Sequence, residues 1–534
     1  MSFWGWGWAD KFPDAEARRL LAQQLGALTG GAGLALAPRD PPSLDAVTVP
    51  RSRLEVPPAL AGFVSARADE RVGHTYGKSF RDLVRGFAGD FEAAPDLVAH
   101  PKSEDEIEAV LAFAADHNVA VIPFGGGTSV VGGVEPAFGK GATYRGAISL
   151  DLRGLDRVLE VDPVSRAARI QAGATGPGLE AQLAQHGFTL RHFPQSFEFS
   201  TLGGWIATHA GGHFATLYTH IDDLTESVRM LTPSGLYETR RLPASGAGPG
   251  PDRLVLGSEG ILGVITEAWM RVHARPRWRA SASVHFRELK AAVAAVREIA
   301  QAGLYPANCR LLDQREALLN RVAADGSHVL LLGFESADHP LAPWLERALA
   351  IAGAHRGICP RGPVLREEGA KSGHEGAAGS WRSAFLEAPY LQSALVSLGA
   401  LVDTFETACT WDRFDALHAA VTAAVEDALV RACGGGLLSC RFTHVYPDGP
   451  APYYTFVAAG RPGAELEQWA QIKRAAADTL AAHGATITHH HAVGRLHRPW
   501  YDRERPPLFA AALRAAKATL DPKGILNPGV LLDP

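Results

Sequence analysis

The sequence predicts an α+β protein built from two large domains. At 534 residues, the chain is longer than a single hydrophobic core usually supports. Between residues 91 and 275, short β-branched runs alternate with helical patterns and glycine-rich turns, whereas residues 276–500 carry longer Ala- and Leu-rich helices separated by strands. We therefore predict an N-terminal extension at 1–90, a first domain at 91–275, a second domain at 276–500 and a C-terminal segment at 501–534.

Composition and charge exclude several classes of protein. Hydrophobic residues make up 46% of the chain and charged residues 20%, which is ordinary for a folded protein. A formal net charge of -5 leaves no general electrostatic footprint for nucleic acid. Five scattered cysteines without a C-x-x-C pair argue against a disulfide framework and a structural zinc site. With no membrane-length apolar run and no secretory pattern, we expect a cytoplasmic protein.

The N-terminal extension begins with three tryptophans that alternate with glycines, Trp4, Trp6 and Trp8. An indole ring favours a membrane–water interface, so a peripheral membrane contact is one interpretation. Packing of the rings on the body of the protein is the other interpretation, and we favour it. Pro and Ala are frequent between 35 and 58, as in a connecting segment, and residues 81–91 have helical character.

The periodicity of the chain predicts the remaining elements. The strongest helix signal in the first domain is at 104–118, where Ser103 would cap the N-terminus. We also predict strands at 147–151, 158–162 and 167–173, a helix at 178–186 that Gly187 ends, and a strand beginning at Val264. In the second domain we predict helices at 289–302 and 341–354 and strands at 329–335, 453–457 and 485–488.

A glycine-rich segment at 119–133 is the feature around which the first domain is organised. A short β-branched run ends at Pro123, and Gly125, Gly126 and Gly127 then precede Thr128 and Ser129. Glycines allow consecutive backbone N–H groups to turn inward and form a nest for an anion. There is no G-x-G-x-x-G here, and a tight turn between strands is the alternative. We interpret the segment as a loop that holds the diphosphate of a dinucleotide.

Two later segments are also rich in glycine. Residues 192–212 contain paired glycines together with the hydroxyls of Ser200, Thr201 and Thr208. A backbone approaches a flat ring closely where side chains are absent, whereas an ordinary turn-rich loop would explain the glycines but not the hydroxyls. Residues 254–267 form an apolar run interrupted by glycines, which suggests a strand that leaves a cofactor-contacting turn.

Candidate chemical groups lie in the second domain. On a strand at 485–488, His489 and His491 would face one way and His490 the other, and the neighbouring sequence offers no acidic partner for a metal site. An exposed chance cluster is the alternative. Arg310 needs an anion, either Asp313 or a bound carboxylate or phosphate. The phenol of Tyr453 is a core residue or, if its pKa is lowered beside a cofactor, an acid or base.

These motifs together resemble a known family. The three glycine-rich segments resemble the FAD-binding domain of vanillyl-alcohol-oxidase and p-cresol-methylhydroxylase (PCMH) type flavoproteins. Nearly end to end, the chain is similar to the alkyldihydroxyacetonephosphate synthase family within that group. The motifs that carry this likeness are the tryptophan–glycine N-terminus, Ala68-Asp-Glu-Arg71, the Gly125 loop, Phe197-Glu-Phe-Ser-Thr201, Gly203-Gly-Trp205, Arg310-Leu-Leu-Asp313, Phe405-Glu-Thr407, Trp411-Asp-Arg413 and His489-His-His-Ala-Val-Gly494.

The resemblance implies a fold, a cofactor and a site. It implies a PCMH-type FAD-binding domain of two subdomains, an α+β cap domain for the substrate, and a C-terminal segment that packs back on the FAD domain. It implies active-site roles for Tyr453, Arg310, His489, His490 and His491, a homodimer, and no metal. The implied FAD contacts are Pro123, Phe124, Gly125, Gly126, Gly127, Thr128, Ser129, Gln195, Ser196, Phe197, Glu198, Phe199, Ser200, Thr201, Thr208, His209, Ala210, Gly211, Glu259, Gly260, Ile261, Leu262, Gly263, Val264 and Ile265.

The implied reaction exchanges the acyl chain of acyl-dihydroxyacetone phosphate for a fatty alcohol, as in ether-lipid synthesis. One position departs from the family pattern, because Gln392 stands where the family has a substrate-contacting arginine, and Arg382 is a possible substitute. A neutral amide does not replace a guanidinium toward phosphate. Two alternatives remain, an FAD-linked oxidoreductase of 2-hydroxy acids or alcohols and a non-catalytic flavin-binding protein. The region 441–448 lacks the H-x-G-x-G-N-x-H motif of related dehydrogenases, which disfavours the first.

Overall fold

The computed structural model describes residues 1–28, 38–138, 143–214, 216, 218–367 and 377–533, with only the backbone for 25–28 and 377–386. The N-terminal part contains helix α1 (Ala15–Leu28), strand β1 (Val64–Ser65) and helices α2 (Ala68–Gly73) and α3 (Phe80–Phe87). Trp4 and Trp6 are buried against the body of the protein, which confirms the packing interpretation for these two rings. Trp8 remains 42% exposed.

The first sheet supports the glycine-rich loop. It contains β2 (Leu97–Ala99), β3 (Ala120–Phe124) and β4 (Ala147–Asp151), with helix α4 (Glu104–His117) between β2 and β3. The strand order is β1-β2-β4-β3, and β4 runs parallel to both β2 and β3. The hydroxyl of Ser103 accepts from the Glu106 N–H at the start of α4, as predicted. The parallel strands are buried except at Pro123, and the glycine-rich loop begins directly after β3.

A second, antiparallel sheet follows with the order β5-β6-β10-β8-β9. The elements of this part are β5 (Val158–Asp162), β6 (Ala167–Gln171), α5 (Gly176–Ala184), β7 (Phe188–Thr189), α6 (Leu202–Ala207), β8 (Thr225–Thr232), β9 (Gly235–Glu238), α7 (Asp252–Val255), β10 (Val264–Arg271) and β11 (His273–Ala274). The predicted pairing of residues 158–162 with 167–173 is confirmed as the hairpin β5–β6. Leu231 and Val264 pack into the core of the first sheet, which joins the two subdomains.

The largest sheet has seven strands in the order β15-β12-β14-β13-β17-β18-β16. Its part of the chain contains β12 (Trp278–Phe286), α8 (Leu289–Gln301), β13 (Asn308–Leu312), α9 (Gln314–Leu319), β14 (His328–Ser336), α10 (Ala342–Ala354), β15 (Val364–Arg366), α11 (Ala377–Ser397), β16 (Ala400–Glu406), α12 (Trp411–Cys433), β17 (Leu437–Val445), β18 (Pro450–Ala459), α13 (Glu465–Ala482), α14 (Arg498–Glu504) and α15 (Pro507–Leu520). Strands β17 and β18 are buried almost throughout. Helix α12 packs on both strands, and α9 packs on β17.

The C-terminal residues return to the first sheet. Leu526 forms a parallel bridge to Val121 of β3, and the Val121 N–H donates to the Ile525 carbonyl at 2.8 Å. Arg495 donates to the carbonyls of Gly132 and Pro528, so it ties this return to the glycine-rich segment. Within the described residues, none of the helices combines the length and apolarity needed to cross a membrane.

One predicted element is wrong. Residues 485–488 form no strand and instead enter a turn that contains His489, His490 and His491. The alternating apolar residues, Ala485 and Ile487, are buried, although neither belongs to a strand of the sheets in the described part of the chain. The turn forms because the backbone N–H groups after Thr488 find a carboxylate acceptor rather than a strand partner.

Candidate active site

The glycine-rich loop lies with its backbone directly against the second glycine-rich segment. A Cβ atom on Gly126 would lie 2.0 Å from the carbonyl oxygen of Phe199, and one on Gly125 would lie 2.3 Å from the hydroxyl oxygen of Thr201. Gly127 has φ +64°, a conformation that L side chains rarely adopt. Glycine is therefore required at each position by a steric contact or by the backbone angle. The two segments form a cradle whose inner surface is backbone and hydroxyl.

This cradle opens into a cavity of about 1150 Å³. That volume is larger than the space a single drug-sized ligand usually needs. The predicted cofactor residues on its wall are Gly125, Gly126, Gly127, Thr128, Ser129, Gln195, Ser196, Ser200, Thr201, Thr208, Ala210 and Gly211. From the large sheet and the residues after it, Arg310, Tyr453, His490 and His491 line the same cavity. The structure therefore brings most of the predicted site together.

Other predicted cofactor residues lie outside the cavity wall. Pro123 packs under Gly260, and the ring of Phe124 packs on His74 with 4.6 Å between centroids. The Glu198 carboxylate accepts from Trp8 and Tyr390 at a more exposed position. The residues that support the cradle from behind or pack elsewhere are Pro123, Phe124, Phe197, Glu198, Phe199, His209, Glu259, Gly260, Ile261, Leu262, Gly263, Val264 and Ile265.

Glu259 in this outer group has a structural partner at the histidine turn. Its carboxylate accepts the N–H groups of Val493 and Gly494, at 2.9 and 2.8 Å. Burial raises the pKa of Glu259 to about 7, although these two hydrogen bonds oppose the shift. The third glycine-rich segment therefore contacts the chain just after the histidines.

A single buried carboxylate organises the histidine turn. Glu406, at the end of β16, accepts the backbone N–H groups of His489, His490 and His491 and the hydroxyl of Thr488. Burial alone would raise its pKa, but the neighbouring imidazoles outweigh burial and hold the pKa well below its usual range. Glu406 is therefore an anion, and it fixes the backbone from which the imidazoles project.

The three imidazoles have different surroundings. His490 and His491 reach the cavity, and their Nδ1 atoms lie 3.4 and 3.7 Å from Glu406 oxygens. His489 instead approaches the Tyr446 hydroxyl at 2.7 Å and the Nε2 of His220 at 3.1 Å. Ring nitrogens of His444, His489 and His490 all lie within 4.8 Å of one another. Burial lowers the pKa of His444, His489 and His491 well below the usual range, so these rings are neutral near pH 7.

Arg310 is fully buried on β13 and lines the cavity. Its Nη2 donates to the His213 carbonyl at 2.9 Å. Burial, together with the charge of Arg441, lowers the pKa of Arg310 to about 9. The predicted partner Asp313 is used elsewhere, because its carboxylate caps α9 through the Glu316 N–H and also accepts the Cys440 N–H.

Tyr453 stands on β18 directly opposite Arg441 of β17. The Arg441 guanidinium lies 3.9 Å from the centroid of the Tyr453 ring and pairs with the buried carboxylate of Glu316. The Tyr453 hydroxyl donates to the hydroxyl of Thr404 at 2.9 Å. Burial raises the pKa of Tyr453 and the Arg441 charge lowers it, with burial the larger effect. The sequence analysis required a lowered pKa for Tyr453 to act as an acid or base, but the pKa is raised. The phenol is therefore protonated near neutral pH.

The Tyr453 ring also faces the histidines. Its centroid lies 6.0 Å from that of His490 and 5.4 Å from that of His491. Gln392 lines the cavity as well, but its amide is held by the Trp6 indole and the Val402 carbonyl. The side chain of Arg382 lies outside the described residues.

Several site residues were missed in the sequence, namely Glu406, His220, His444, Tyr446 and Arg441. In the sequence analysis, Glu406 stands within the motif 405–407, and His444 and Tyr446 stand within the region 441–448, without a role of their own. Their partners are distant in the chain; Glu406 and His489, for example, are 83 positions apart. Proximity in the fold, rather than a local pattern, reveals them.

Comparison with known proteins identifies the family of both large parts of the chain. Residues 95–240 match the family described as FAD binding domain, and residues 275–531 match the family described as FAD linked oxidases, C-terminal domain. The alkyldihydroxyacetonephosphate synthase of Dictyostelium discoideum is 33% identical over 476 residues, which is 86% of this chain and 77% of the relative.

The chain belongs to the alkyldihydroxyacetonephosphate synthase family.

A second family member, from Trypanosoma brucei brucei, is 31% identical over 477 residues, again 86% of this chain and 77% of the relative. A solved alkyldihydroxyacetonephosphate synthase structure is 26% identical, covers 99% of this chain and 97% of the other, and has a TM-score of 0.79. These matches confirm the predicted fold class, the FAD cofactor and the assignment as an enzyme. The individual residue roles and the domain boundaries remain predictions.

The site also fits FAD on its own geometry. The inner surface of the cradle at Gly125, Gly126 and Gly127 has no side chains, and a methyl group there would meet backbone or side-chain atoms. Consecutive N–H groups in such a loop suit a diphosphate, and the hydroxyls of Thr128 and Ser129 add donors. The residues that would hold FAD are therefore the loop 125–129 and the cavity-facing part of 195–211.

Proposed function

We propose that this protein exchanges the acyl chain of acyl-dihydroxyacetone phosphate for a fatty alcohol. The observation that carries the proposal is the shared cavity: Tyr453, His490, His491 and Arg310 line the same cavity as the cradle suited to FAD. Membership of the family supplies the reaction. The large cavity provides room for a cofactor together with a chain-bearing substrate.

The proposed reaction is balanced without net oxidation. The bond between the substrate's C1 and its acyl oxygen breaks, and a fatty acid leaves with that oxygen. The alcohol oxygen forms the new bond to C1, and the alcohol proton ends on the fatty acid. Bound FAD supplies the reactive ring edge at which C1 changes its oxygen substituent.

The chain's own residues move protons and hold charge in this scheme. The reactive form of Tyr453 is the phenolate, which has lost its proton to solvent and is stabilised by the Arg441 cation; its oxygen accepts the C1 proton and later returns a proton to C1. His491 is a neutral base, and because its Nδ1 faces Glu406, its Nε2 is the nitrogen that can take the alcohol proton. Arg310 holds the phosphate of the substrate.

The test is direct. The purified protein with FAD bound is given palmitoyl-dihydroxyacetone phosphate and hexadecanol, and separately a 2-hydroxy acid. Release of palmitate and formation of the ether lipid, with the flavin spectrum still of the oxidised type, would support exchange. Flavin bleaching by the hydroxy acid without release of palmitate would favour the oxidoreductase alternative.

We also propose a homodimer in the cytoplasm that makes a peripheral membrane contact. Exposed Trp8 is compatible with such a contact, because indole favours the interface. Sedimentation of the purified protein tests the dimer, and flotation with phospholipid vesicles tests the membrane contact. A monomeric sedimentation coefficient at working concentration would contradict the dimer.

A further inference from the structure

A buried lysine stands beside the glycine-rich loop and is not used in the scheme above. The Lys78 N–H donates to the Ser129 carbonyl at 2.6 Å. A Cβ atom on the preceding residue, Gly77, would lie 2.1 Å from the same carbonyl oxygen. The backbone around Lys78 is therefore packed tightly on the end of the loop, whose N–H groups suit a diphosphate.

The Lys78 side chain is 8% exposed and lines the cavity. Among the described residues, no acceptor forms a hydrogen bond or ion pair with its ammonium group. Lys473, another lysine of the cavity wall, is different, since its ammonium donates to the Thr404 carbonyl and lies 3.4 Å from Asp403. A nearly buried ammonium group is costly unless an anion accompanies it, so its place on the cavity wall suits an anionic group of a ligand.

The Asp82 carboxylate, which acts electrostatically on Lys78, is not within ion-pair distance of its ammonium group. Asp82 acts on Lys78 only at a distance, because its carboxylate accepts the Ser79 N–H at the start of α3. Burial lowers the pKa of Lys78 to about 8, with Asp82 opposing the shift. Burial likewise raises the pKa of Asp82 to about 6. In both groups burial is the largest cause of the shift.

We propose that Lys78 binds a phosphate group within the cavity. Two sources share this chemistry, the diphosphate of FAD and the phosphate of the substrate, and the second source rests on the function proposed above. A lysine ammonium is a compact charge well suited to phosphate oxygens. With Gln392 in the place of the family's arginine, Lys78 supplies a cation to the cavity wall from a different element.

The first experiment compares Lys78→Met, Lys78→Arg and the exposed control Lys290→Met. FAD affinity is measured by fluorescence quenching on the full chain stripped of cofactor. Affinity for glycerol 3-phosphate is measured on the FAD-bound protein from the change in flavin absorbance. Loss of one charge-assisted contact should weaken binding roughly tenfold or more in Lys78→Met. Lys78→Arg should retain most of the affinity.

The two arms separate the sources. Weaker FAD binding with unchanged glycerol 3-phosphate binding assigns Lys78 to the cofactor diphosphate, and the reverse assigns it to the substrate phosphate. Unchanged affinity for both probes in a folded Lys78→Met protein overturns the proposal. Neither arm needs turnover, so absence of exchange activity would defeat the proposed function and leave the FAD arm intact.

A measurement on the unmodified chain covers the case in which a variant does not fold. The pH dependence of Lys78 acetylation is followed by mass spectrometry, with and without FAD or glycerol 3-phosphate. The anion that contacts Lys78 should slow its acetylation and raise its pKa by about one unit or more. No change with either ligand would overturn the proposal.

Discussion

Glu406 shows how one residue can set the geometry of several others. Its carboxylate accepts three backbone N–H groups and one hydroxyl, and its pKa lies well below the usual range. Such a set of donors stabilises an anion strongly. The rigid turn then directs His490 and His491 to the cavity and His489 toward Tyr446.

We predict that Glu406→Gln destabilises the protein and reduces activity. The amide NH₂ would face groups that are themselves donors, and loss of a buried charged partner costs on the order of 3 kcal/mol. Thermal unfolding and turnover check this, with the exposed Glu467→Gln as control. Unchanged unfolding and turnover in Glu406→Gln would contradict the organising role.

Tyr453 is the residue on which the proposed proton transfer depends. Tyr453→Phe keeps the ring beside Arg441 and removes only the hydroxyl, so folding and FAD binding should be retained. Loss of a positioned acid–base group should lower kcat roughly 10²- to 10⁴-fold. Exchange kinetics at saturating substrate check this, with the exposed Tyr305→Phe as control. Full activity in Tyr453→Phe would assign the proton to another group.

At the scale of elements, the packing of the glycine-rich loop on residues 199–201 determines why glycine is needed at positions 125 and 126. The β-branched run that ends at Pro123 predicts the strand, and the glycines predict the loop, so both could be recognised from sequence. The partner segment could be suspected from its own glycines. Which glycine faces a backbone carbonyl depends on the packing of the two segments and could not be read locally.

We predict that Gly126→Ala abolishes tight FAD binding. The new methyl group would lie 2.0 Å from the Phe199 carbonyl oxygen, a backbone atom that cannot move without opening the cradle. The matched control is Gly353→Ala, because Gly353 lies in α10 with no atom within 4 Å of the added methyl, where alanine should be neutral or stabilising. FAD content after purification distinguishes them, and full occupancy in Gly126→Ala would contradict the packing argument.

The strand predicted at 485–488 is wrong, because these residues lead into the turn that contains the three histidines. Alternating apolar residues predict a strand, and both Ala485 and Ile487 are indeed buried. Alternation reports burial, whereas a strand also needs a neighbouring strand to accept its N–H groups. Here the Ile487 N–H donates to the Glu504 carboxylate, and the N–H groups of His489, His490 and His491 donate to Glu406. These carboxylates come from other elements, so the local pattern does not reveal them.

At the scale of the whole molecule, many histidines are buried as neutral rings. Burial lowers the pKa of His192 to about 3 and that of His273 and His497 to about 4, and it also lowers the pKa of His444, His489 and His491. In the unfolded chain these groups titrate near 6.5. Below about pH 6.5, the unfolded chain therefore binds more protons than the folded protein.

We predict that stability falls as pH falls from 7 to 5. For each additional proton that the unfolded chain binds, the free energy of unfolding falls by about 1.4 kcal/mol for every unit by which the pH is lowered. The raised pKa values of Glu259 and Asp313, about 7, and of Asp82, about 6, act in the opposite direction, but these groups are fewer than the buried histidines. Calorimetry at several pH values checks this, and a melting temperature that rises toward pH 5 would contradict it.

The sequence by itself determined the α+β class, the glycine-rich loop, most helices and strands and, through resemblance, the flavin and the reaction family. These features are local, because strand and helix periodicity and glycine spacing are properties of neighbouring residues. Only the tertiary structure decided that Glu406 anchors the histidines, that Arg441 lies on Tyr453, and that Lys78 faces the cavity. Those contacts join residues far apart in the chain, and burial, which sets their charges, exists only after the sheets have packed.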